Sequence, residues 1–339
     1  FVPAEKSANT HSYYKHPTHV ICFGYFFRDA NKKVDLNSIL INSLRNENIV
    51  DTHIQTNLSA IQWSSATSIN NGTNSAFQVL SFSASKNFLE KKQKIIPLIE
   101  KHFAKNTVSF EICFFEEIIT PHVFNAKKNS EGFVYSYLLP CDLLTSLDSF
   151  HFKTLEKIVY PEFLGHNLDF HNYDNRHSNG FLFSIKHSEI FSIENQNYVI
   201  FSFHGKFISI NQVLRIMTMI VSFSCGKINI DSLRSSLSHD LWDIKPFPKT
   251  CLWLDSVDFT SYSTKMLTRP STIVDYDSDV TFRSCHPVIQ RWKHKHLFPF
   301  INKEIQEKDL KSFCQAISVI DPPKFISPPI HFIPTKQLA

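Results

Sequence analysis

The stretch HVICFGYFF, residues 19–27, decides the fold class, because it is almost entirely apolar, β-branched or aromatic. A continuous apolar run of this length predicts a strand that is buried on both faces. Asp35 then precedes apolar residues at helical spacing between positions 36 and 44, with the carboxylate placed to cap the helix. A buried strand followed by an amphipathic helix indicates a sheet that is covered by helices.

The same pattern continues through the first half of the chain. Residues 76–82 and 108–115 have the alternation and the β-branched and aromatic content of strands. Between them, residues 88–103 place their apolar side chains on one helical face, and Pro97 is expected to kink this helix. Strand, helix and strand therefore follow one another, as a sheet with helical cover requires.

A polar stretch without periodicity, HNLDFHNYDNRHSN at residues 166–179, separates the two halves of the chain. We predict a boundary there, between an N-terminal mixed α/β subdomain (1–165) and a C-terminal α+β subdomain (181–339). Further strands are predicted at 133–139, 181–185, 189–193, 198–204 and 251–257, helices at 211–221, 232–242 and 302–320, a polar loop from 258 to 278, and an extended Pro-rich tail at 321–334. The predicted class is α+β, with mixed sheets, packed helices, an irregular architecture and two subdomains.

Composition excludes several classes of function. The 339 residues include only seven glycines, and no two lie close enough to form a phosphate-cradling loop or a dinucleotide fingerprint. The seven cysteines form no CxxC pair, which argues against a zinc ribbon or a thioredoxin-like motif. No apolar run is long enough to span a membrane. We therefore predict no cofactor, no metal and no membrane span.

The chain begins at Phe1, and it carries two glycosylation sequons, at Asn57 and Asn71. A start without Met is typical either of a removed leader or of a chain that has been shortened, and sequons are compatible with a secretory route. We therefore expect a secreted protein. An odd number of cysteines in a secreted chain leaves at least one thiol free or bonded to another chain.

Positive charge concentrates in TFRSCHPVIQRWKHKHLFPF, residues 281–300, which we call the basic-aromatic segment. Its cations and imidazoles are Arg283, His286, Arg291, Lys293, His294, Lys295 and His296, and its rings include Trp292. Such a segment could hold phosphates, stack bases and move a proton. The alternative interpretation is a surface helix whose basic face is simply solvated.

Metal-free RNA cleavage suits this composition best among the chemistries considered. It needs one group to remove the proton of the ribose 2′-OH, a second to protonate the leaving 5′-oxygen, and a cation to stabilise the phosphate. Metal binding by His294 with His296, by Cys285 with His286 or by His171 with His177 is less favoured, as is a Cys285 nucleophile, because these spacings are weak.

The chain resembles the secreted ribotoxin subunits of yeast killer plasmids, the zymocin gamma subunit and the Pichia acaciae toxin group. The resemblance lies in the Phe1 start, in Glu5 close behind it, in the composition rich in Asn, Phe, Ile and Lys, and in His286 within a basic segment near the C-terminal end.

This resemblance implies an anticodon nuclease that cuts a specific tRNA by transesterification, leaving a 2′,3′-cyclic phosphate and a 5′-OH. It makes Glu5 and His286 the acid–base pair, with His294 or His296 as alternatives for the histidine. The family also uses an arginine, which we assign by proximity to Arg283, with Arg291 as the alternative. Arg291, Trp292, Lys293, His294, Lys295 and His296 are the predicted substrate-binding residues.

The same resemblance implies partners and a place of action. The expected partners are a tRNA anticodon stem-loop, a carrier subunit joined through a disulfide and an immunity protein, and the toxin would act in the cytoplasm of a target cell. A nonenzymatic RNA-binding or structural protein of a virus or plasmid is the alternative function. A secreted recognition module, with glycosylated sequons, is a third.

Overall fold

The structure is a computed structural model. It describes residues 18–27, 36–46, 61–67, 73–84, 110–120, 124–144, 149–165, 172–173, 180–238, 242–268, 280–306 and 313. Several predictions lie outside these residues: Glu5, both sequons, His171 and His177, the helix at 88–103, most of the helix at 302–320, and the tail at 321–334.

The described residues form the predicted α+β fold. The strands are β1 (Thr18–Phe27), β2 (Ser64–Ser65), β3 (Asn74–Ser83), β4 (Phe110–Thr120), β5 (Gly132–Pro140), β6 (Phe181–His187), β7 (Phe191–Ile193), β8 (Gln196–Lys206) and β9 (Leu252–Asp258). The α-helices are α1 (Leu36–Asn46), α2 (Ala126–Asn129), α3 (Ser149–Thr154), α4 (Ile210–Ser224), α5 (Ile230–Ser236), α6 (Thr260–Thr268), α7 (His286–Trp292) and α8 (Phe298–Glu304). In the described part of the chain, no helix has both the length and the apolar character needed to span a membrane.

The contacts divide the chain into two units, each built from separate stretches. Unit 1 comprises Phe1–Glu131 and Val257–Arg291, and unit 2 comprises Gly132–Ser256 and Trp292–Ala339. These divisions lie at positions other than the polar stretch 166–179, where we predicted the boundary.

In unit 1 the strand predicted from the apolar run, β1, lies between β3 and β4 and pairs antiparallel with both. Every residue of β1 is buried, which explains why its sequence is continuous rather than alternating. One face of this sheet packs Ile21, Phe23 and Tyr25 into a core that includes Leu40 and Leu44 of helix α1. The helix therefore forms because its apolar side chains cover this face.

One sequence prediction in unit 1 was wrong. Residues 260–268 were predicted as part of a polar loop, but they form helix α6. The helix is anchored because Tyr262 and Ser263 are buried, and Ser263 Oγ accepts a hydrogen bond of 3.1 Å from the Val280 backbone. A helix held by such distant contacts carries no clear periodicity in its own sequence.

In unit 2 the strands run in the order β9-β5-β8-β6, with β7 paired to β8. Strands β5, β6 and β7 each pair antiparallel with β8. Helix α4 begins with a capping box, in which Ser209 and Gln212 satisfy each other's backbone N–H groups. Its residues Val213, Ile216 and Met217 are completely buried.

Candidate functional site

The basic-aromatic segment is helical almost throughout. Phe282 has a left-handed backbone (φ 55°) and begins a 3₁₀-helix at Arg283–Cys285, which α7 follows. A π-helical turn at Lys293–Leu297 then leads into α8. The boundary between the units falls after Arg291, so residues 281–291 of the segment belong to unit 1 and residues 292–300 belong to unit 2.

In unit 1 the segment alternates between buried anchors and exposed polar side chains. Phe282, Cys285 and Ile289 are buried. Arg283, His286, Gln290 and Arg291 are exposed. A helical period that buries one face and presents cations on the other is the pattern of an amphipathic surface helix.

Three contacts hold the beginning of this helical run against the sheet of unit 1. The Phe77 ring, on β3, meets the rings of Phe282 and His286 edge-on, at centroid distances of 5.9 and 6.1 Å. Ser284 Oγ lies 2.7 and 2.9 Å from the two carboxylate oxygens of Glu116 on β4, and donates to them. His286 therefore lies against an aromatic ring while remaining open to solvent.

Neither Arg283 nor Arg291 forms an ion pair with any acidic residue in the described part of the chain. Guanidinium groups without an internal partner keep their donors for an external anion. Arg283 and His286 are three residues apart in a helical run, so they lie on neighbouring positions of the same surface. The structure thus brings these two predicted site residues together.

The unit 2 part of the segment is more buried than we expected of a binding surface. Trp292 is buried, and its ring stacks with His296 at a centroid distance of 6.4 Å. Lys293 is only 4% exposed. His294 is exposed and touches the Phe298 ring edge-on at 5.0 Å, and Lys295 is exposed. Of the six predicted substrate-binding residues, Trp292 and Lys293 are thus turned into the protein.

Lys293 is buried because it belongs to a polar cluster around Asp255 of β9. Its Nζ lies 2.8 Å from Asp255 Oδ1, which also accepts a hydrogen bond of 3.0 Å from Trp253 Nε1. Ser136 Oγ donates to Asp255 Oδ2 at 2.9 Å. Since this uses the only Ser136 hydroxyl proton, Ser202 Oγ donates to Ser136 across their 2.9 Å contact. We call these residues the Asp255 cluster.

The environment of Asp255 favours its charged form. Burial by itself would raise the pKa of this carboxyl, but the Lys293 ammonium, together with the hydrogen bonds from Trp253 and Ser136, outweighs burial and holds the pKa below its ordinary value. The sequence contained a signal that we did not use: Asp255 lies among apolar residues in the segment 251–257, and a carboxylate that becomes buried there requires a partner.

Two of the alternative metal pairs, His294 with His296 and Cys285 with His286, lie within the described residues, and His171 with His177 lies outside them. Within the residues that the structure describes, no three His, Cys, Asp or Glu side chains converge as metal ligands. Cys285 is buried and its Sγ lies 3.1 Å from the Phe282 carbonyl oxygen, whereas the adjacent His286 is exposed. The two side chains therefore do not form a shared site.

The predicted Glu5–His286 pair cannot be located, because Glu5 lies outside the described residues. Among the described residues of unit 1, the segment presents two exposed arginines, Arg283 and Arg291, and the exposed imidazole of His286. Arginines without an internal partner can hold phosphates, and an imidazole can accept or donate a proton near neutral pH.

Comparisons with known proteins assign no family. No protein-family model matches the chain, and no curated protein matches it. Among solved structures, an unknown protein from Galdieria sulphuraria is similar over 60% of this chain and 91% of its own, with 7% sequence identity and a TM-score of 0.16. This level of similarity does not establish a common fold.

Proposed function

We propose that this chain binds RNA, and that the unit 1 part of the basic-aromatic segment contacts the phosphate backbone. The observation that carries the proposal is the pair of exposed arginines, Arg283 and Arg291, which no described acidic residue neutralises. Side chains of this kind form charge-assisted, often bidentate hydrogen bonds with phosphate oxygens. The formal net charge of +4 agrees with a polyanionic partner.

RNA is favoured over a compact phosphate ligand because the exposed cations are spread along a helix rather than gathered in a pocket. Arg283 and Arg291 stand at the two ends of the helical run in unit 1. At about 1.5 Å of rise per residue, their backbone positions are separated by roughly 12 Å. This spacing suits two separate phosphates along a backbone better than a single phosphate group.

A second candidate function is cleavage of the bound RNA without a metal ion. It is favoured by the exposed His286, three residues from Arg283. In this proposal His286 acts as general acid or base, Arg283 stabilises the charge on the phosphate, and Glu5 is the second proton-transfer group. The resemblance to killer-plasmid ribotoxins supplies the tRNA anticodon loop as substrate, secretion as the route, and the carrier and immunity proteins as partners.

The binding proposal is tested by the affinity for a tRNA anticodon stem-loop at several salt concentrations. Arg283→Ala and Arg291→Ala should each weaken binding and reduce the slope of log K against log [salt] by about one. Arg234→Ala is the matched control, because it removes the same charge from an exposed arginine that is already paired with Glu162. Equal binding by all three variants and the parent protein would refute the assignment of this surface.

The cleavage proposal is tested by incubating the protein with total tRNA in excess EDTA and analysing the new chain ends. We expect 2′,3′-cyclic phosphate and 5′-OH ends, lost in His286→Ala and Glu5→Gln but kept in His294→Ala. RNA binding without new ends would leave the first proposal standing and overturn the second. Loss of the ends only in His294→Ala would instead transfer the catalytic role to that histidine.

A further inference from the structure

Cys22 lies at the centre of the unit 1 sheet. It belongs to β1, its Cα partners are Val79 on β3 and Glu116 on β4, and it is completely buried. Directly opposite residues of antiparallel strands place their side chains on the same face of a sheet. Cys22 and Glu116 therefore share the face opposite the core that helix α1 covers.

Cys285 is held on this same face. The hydroxyl of its neighbour Ser284 donates to the Glu116 carboxylate, and Phe282, at the beginning of the same turn, contacts Phe77 of β3. Cys285 itself is 4% exposed. The strand register and the anchored turn thus place Cys285 next to Glu116, on the face of the sheet that carries Cys22.

Both cysteines are free thiols in the structure. Burial raises the pKa of the Cys22 thiol well above its ordinary value, and the neighbouring Cys285 thiol and Glu116 carboxylate raise it further. A thiol of this kind is a poor nucleophile. It is nevertheless in position to resolve a disulfide that forms on its neighbour.

We propose that Cys22 and Cys285 form a disulfide when the protein meets a small-molecule disulfide such as oxidised glutathione. The Cys285 thiolate attacks one sulfur of the oxidant, forming a mixed disulfide and releasing one glutathione thiolate. Cys22 then loses its proton to solvent and attacks the Cys285 sulfur, releasing the second glutathione thiolate. Two protein thiols are oxidised, and one glutathione disulfide is reduced to two thiols.

Cys285 reacts first because of its position. It lies in a 3₁₀ turn whose neighbours Arg283, Ser284 and His286 are exposed, so a small opening of this turn admits the oxidant. Cys22 is enclosed within a central strand. The product would join β1 covalently to the turn that precedes α7, beside Arg283 and His286.

The test uses the reduced full-length chain at equilibrium with oxidised glutathione, followed by blocking of free thiols and peptide mapping without reductant. We expect one linked pair of peptides that contains Cys22 and Cys285, with the loss of two hydrogen atoms. Cys22→Ser should leave Cys285 as its glutathione mixed disulfide. Cys141→Ser and Cys251→Ser are the controls, because they remove other buried thiols and should leave the linked pair unchanged.

Two results would overturn the proposal: both thiols blocked as free cysteines after equilibration, or a linked pair that joins either cysteine to a different partner. Near-ultraviolet circular dichroism of the reduced variants checks that each is folded before oxidation. The disulfide proposal does not depend on RNA binding, so a chain that binds no RNA but forms the linked pair still supports it.

Discussion

Replacing Lys293 by Met should lower the free energy of unfolding of unit 2 and leave the affinity for RNA almost unchanged. The substitution keeps the apolar stem of the side chain and removes the ammonium that lies 2.8 Å from Asp255 Oδ1. The Lys293 side chain is 5% exposed and that of Asp255 is 21% exposed, so the pair is largely shielded from water. Its loss leaves a mostly buried carboxylate without its counter-ion.

The expected cost follows from what Asp255 retains. Breaking a fully buried ion pair by removing one partner costs about 3–5 kcal/mol. Here the carboxylate keeps hydrogen bonds from Trp253 and Ser136 and some contact with solvent. We therefore expect Lys293→Met to lower the free energy of unfolding by about 2–3 kcal/mol.

Replacing the other member of the ion pair should lower the free energy of unfolding further. Asp255→Asn leaves the Lys293 ammonium almost completely buried without an opposite charge, and we expect a loss of about 3–5 kcal/mol. In the double variant no unpaired charge remains, so its loss should be smaller than the sum of the two single losses by about 1–3 kcal/mol. Such a coupling would show that the two side chains act as a pair in solution.

These differences are measured by urea denaturation of the parent protein, the two single variants and the double variant, with tryptophan fluorescence as the signal. Trp253 donates a hydrogen bond to Asp255, so its fluorescence reports on the cluster. Lys295→Met is the matched control: it removes the same charge from an exposed position two residues away, and it should change stability by less than about 0.5 kcal/mol. Equal effects of Lys293→Met and Lys295→Met on stability would refute the reasoning. So would a loss of RNA affinity in Lys293→Met that is as large as in Arg283→Ala.

Three further predictions concern stability. The pKa of Asp255 is depressed in the folded state, so the unfolded state binds a proton more readily. The stabilisation by the ionised carboxylate is therefore complete above about pH 4 and is lost as the pH falls through the lower folded pKa. Over this range, acid titration should show a smaller loss of stability for Asp255→Asn than for the parent protein. Gly205→Ala should cost about 1–3 kcal/mol in urea denaturation, because the new Cβ would lie 2.5 Å from the Phe181 carbonyl oxygen, and an unchanged midpoint would contradict this contact. Ser209→Ala removes the capping box of α4 and should cost about 1 kcal/mol, measured as a lower thermal midpoint, whereas Ser209→Thr should retain most of the stability.

The strands were the most predictable part of the fold. The apolar run 19–27 matches β1 almost residue for residue, because a strand buried on both faces needs a continuous apolar sequence. Helix α6 was missed because its stability comes from burial of Tyr262 and Ser263 against distant parts of unit 1. The division of the chain into units is defined by contacts between stretches that lie far apart in sequence, and local sequence patterns do not indicate such contacts.

The sequence identifies the basic-aromatic segment, but it does not indicate which of its side chains are exposed. Its helical pattern and its concentration of cations are local properties of the sequence, and the structure shows Arg283, His286, Arg291, His294 and Lys295 exposed. The burial of Lys293 depends on Asp255, which lies 38 positions earlier and reaches it only through the fold. Local sequence cannot indicate which cation of a cluster has an internal partner.

This difference changes how a cluster of basic residues should be interpreted. A cation that is paired inside the protein contributes to folding, because removing it leaves a buried carboxylate, whereas a cation without a partner adds little to folding and is available to an external anion. The basic-aromatic segment contains Lys293 of the first kind, and Arg283 and Arg291, which no acidic residue in the described part of the chain neutralises, of the second. If the chain binds RNA as proposed, a substitution that removes all of these charges together would lower stability and RNA affinity at once, and the lower affinity would then not identify the binding residues. Only single substitutions, with stability measured beside affinity, separate the two contributions.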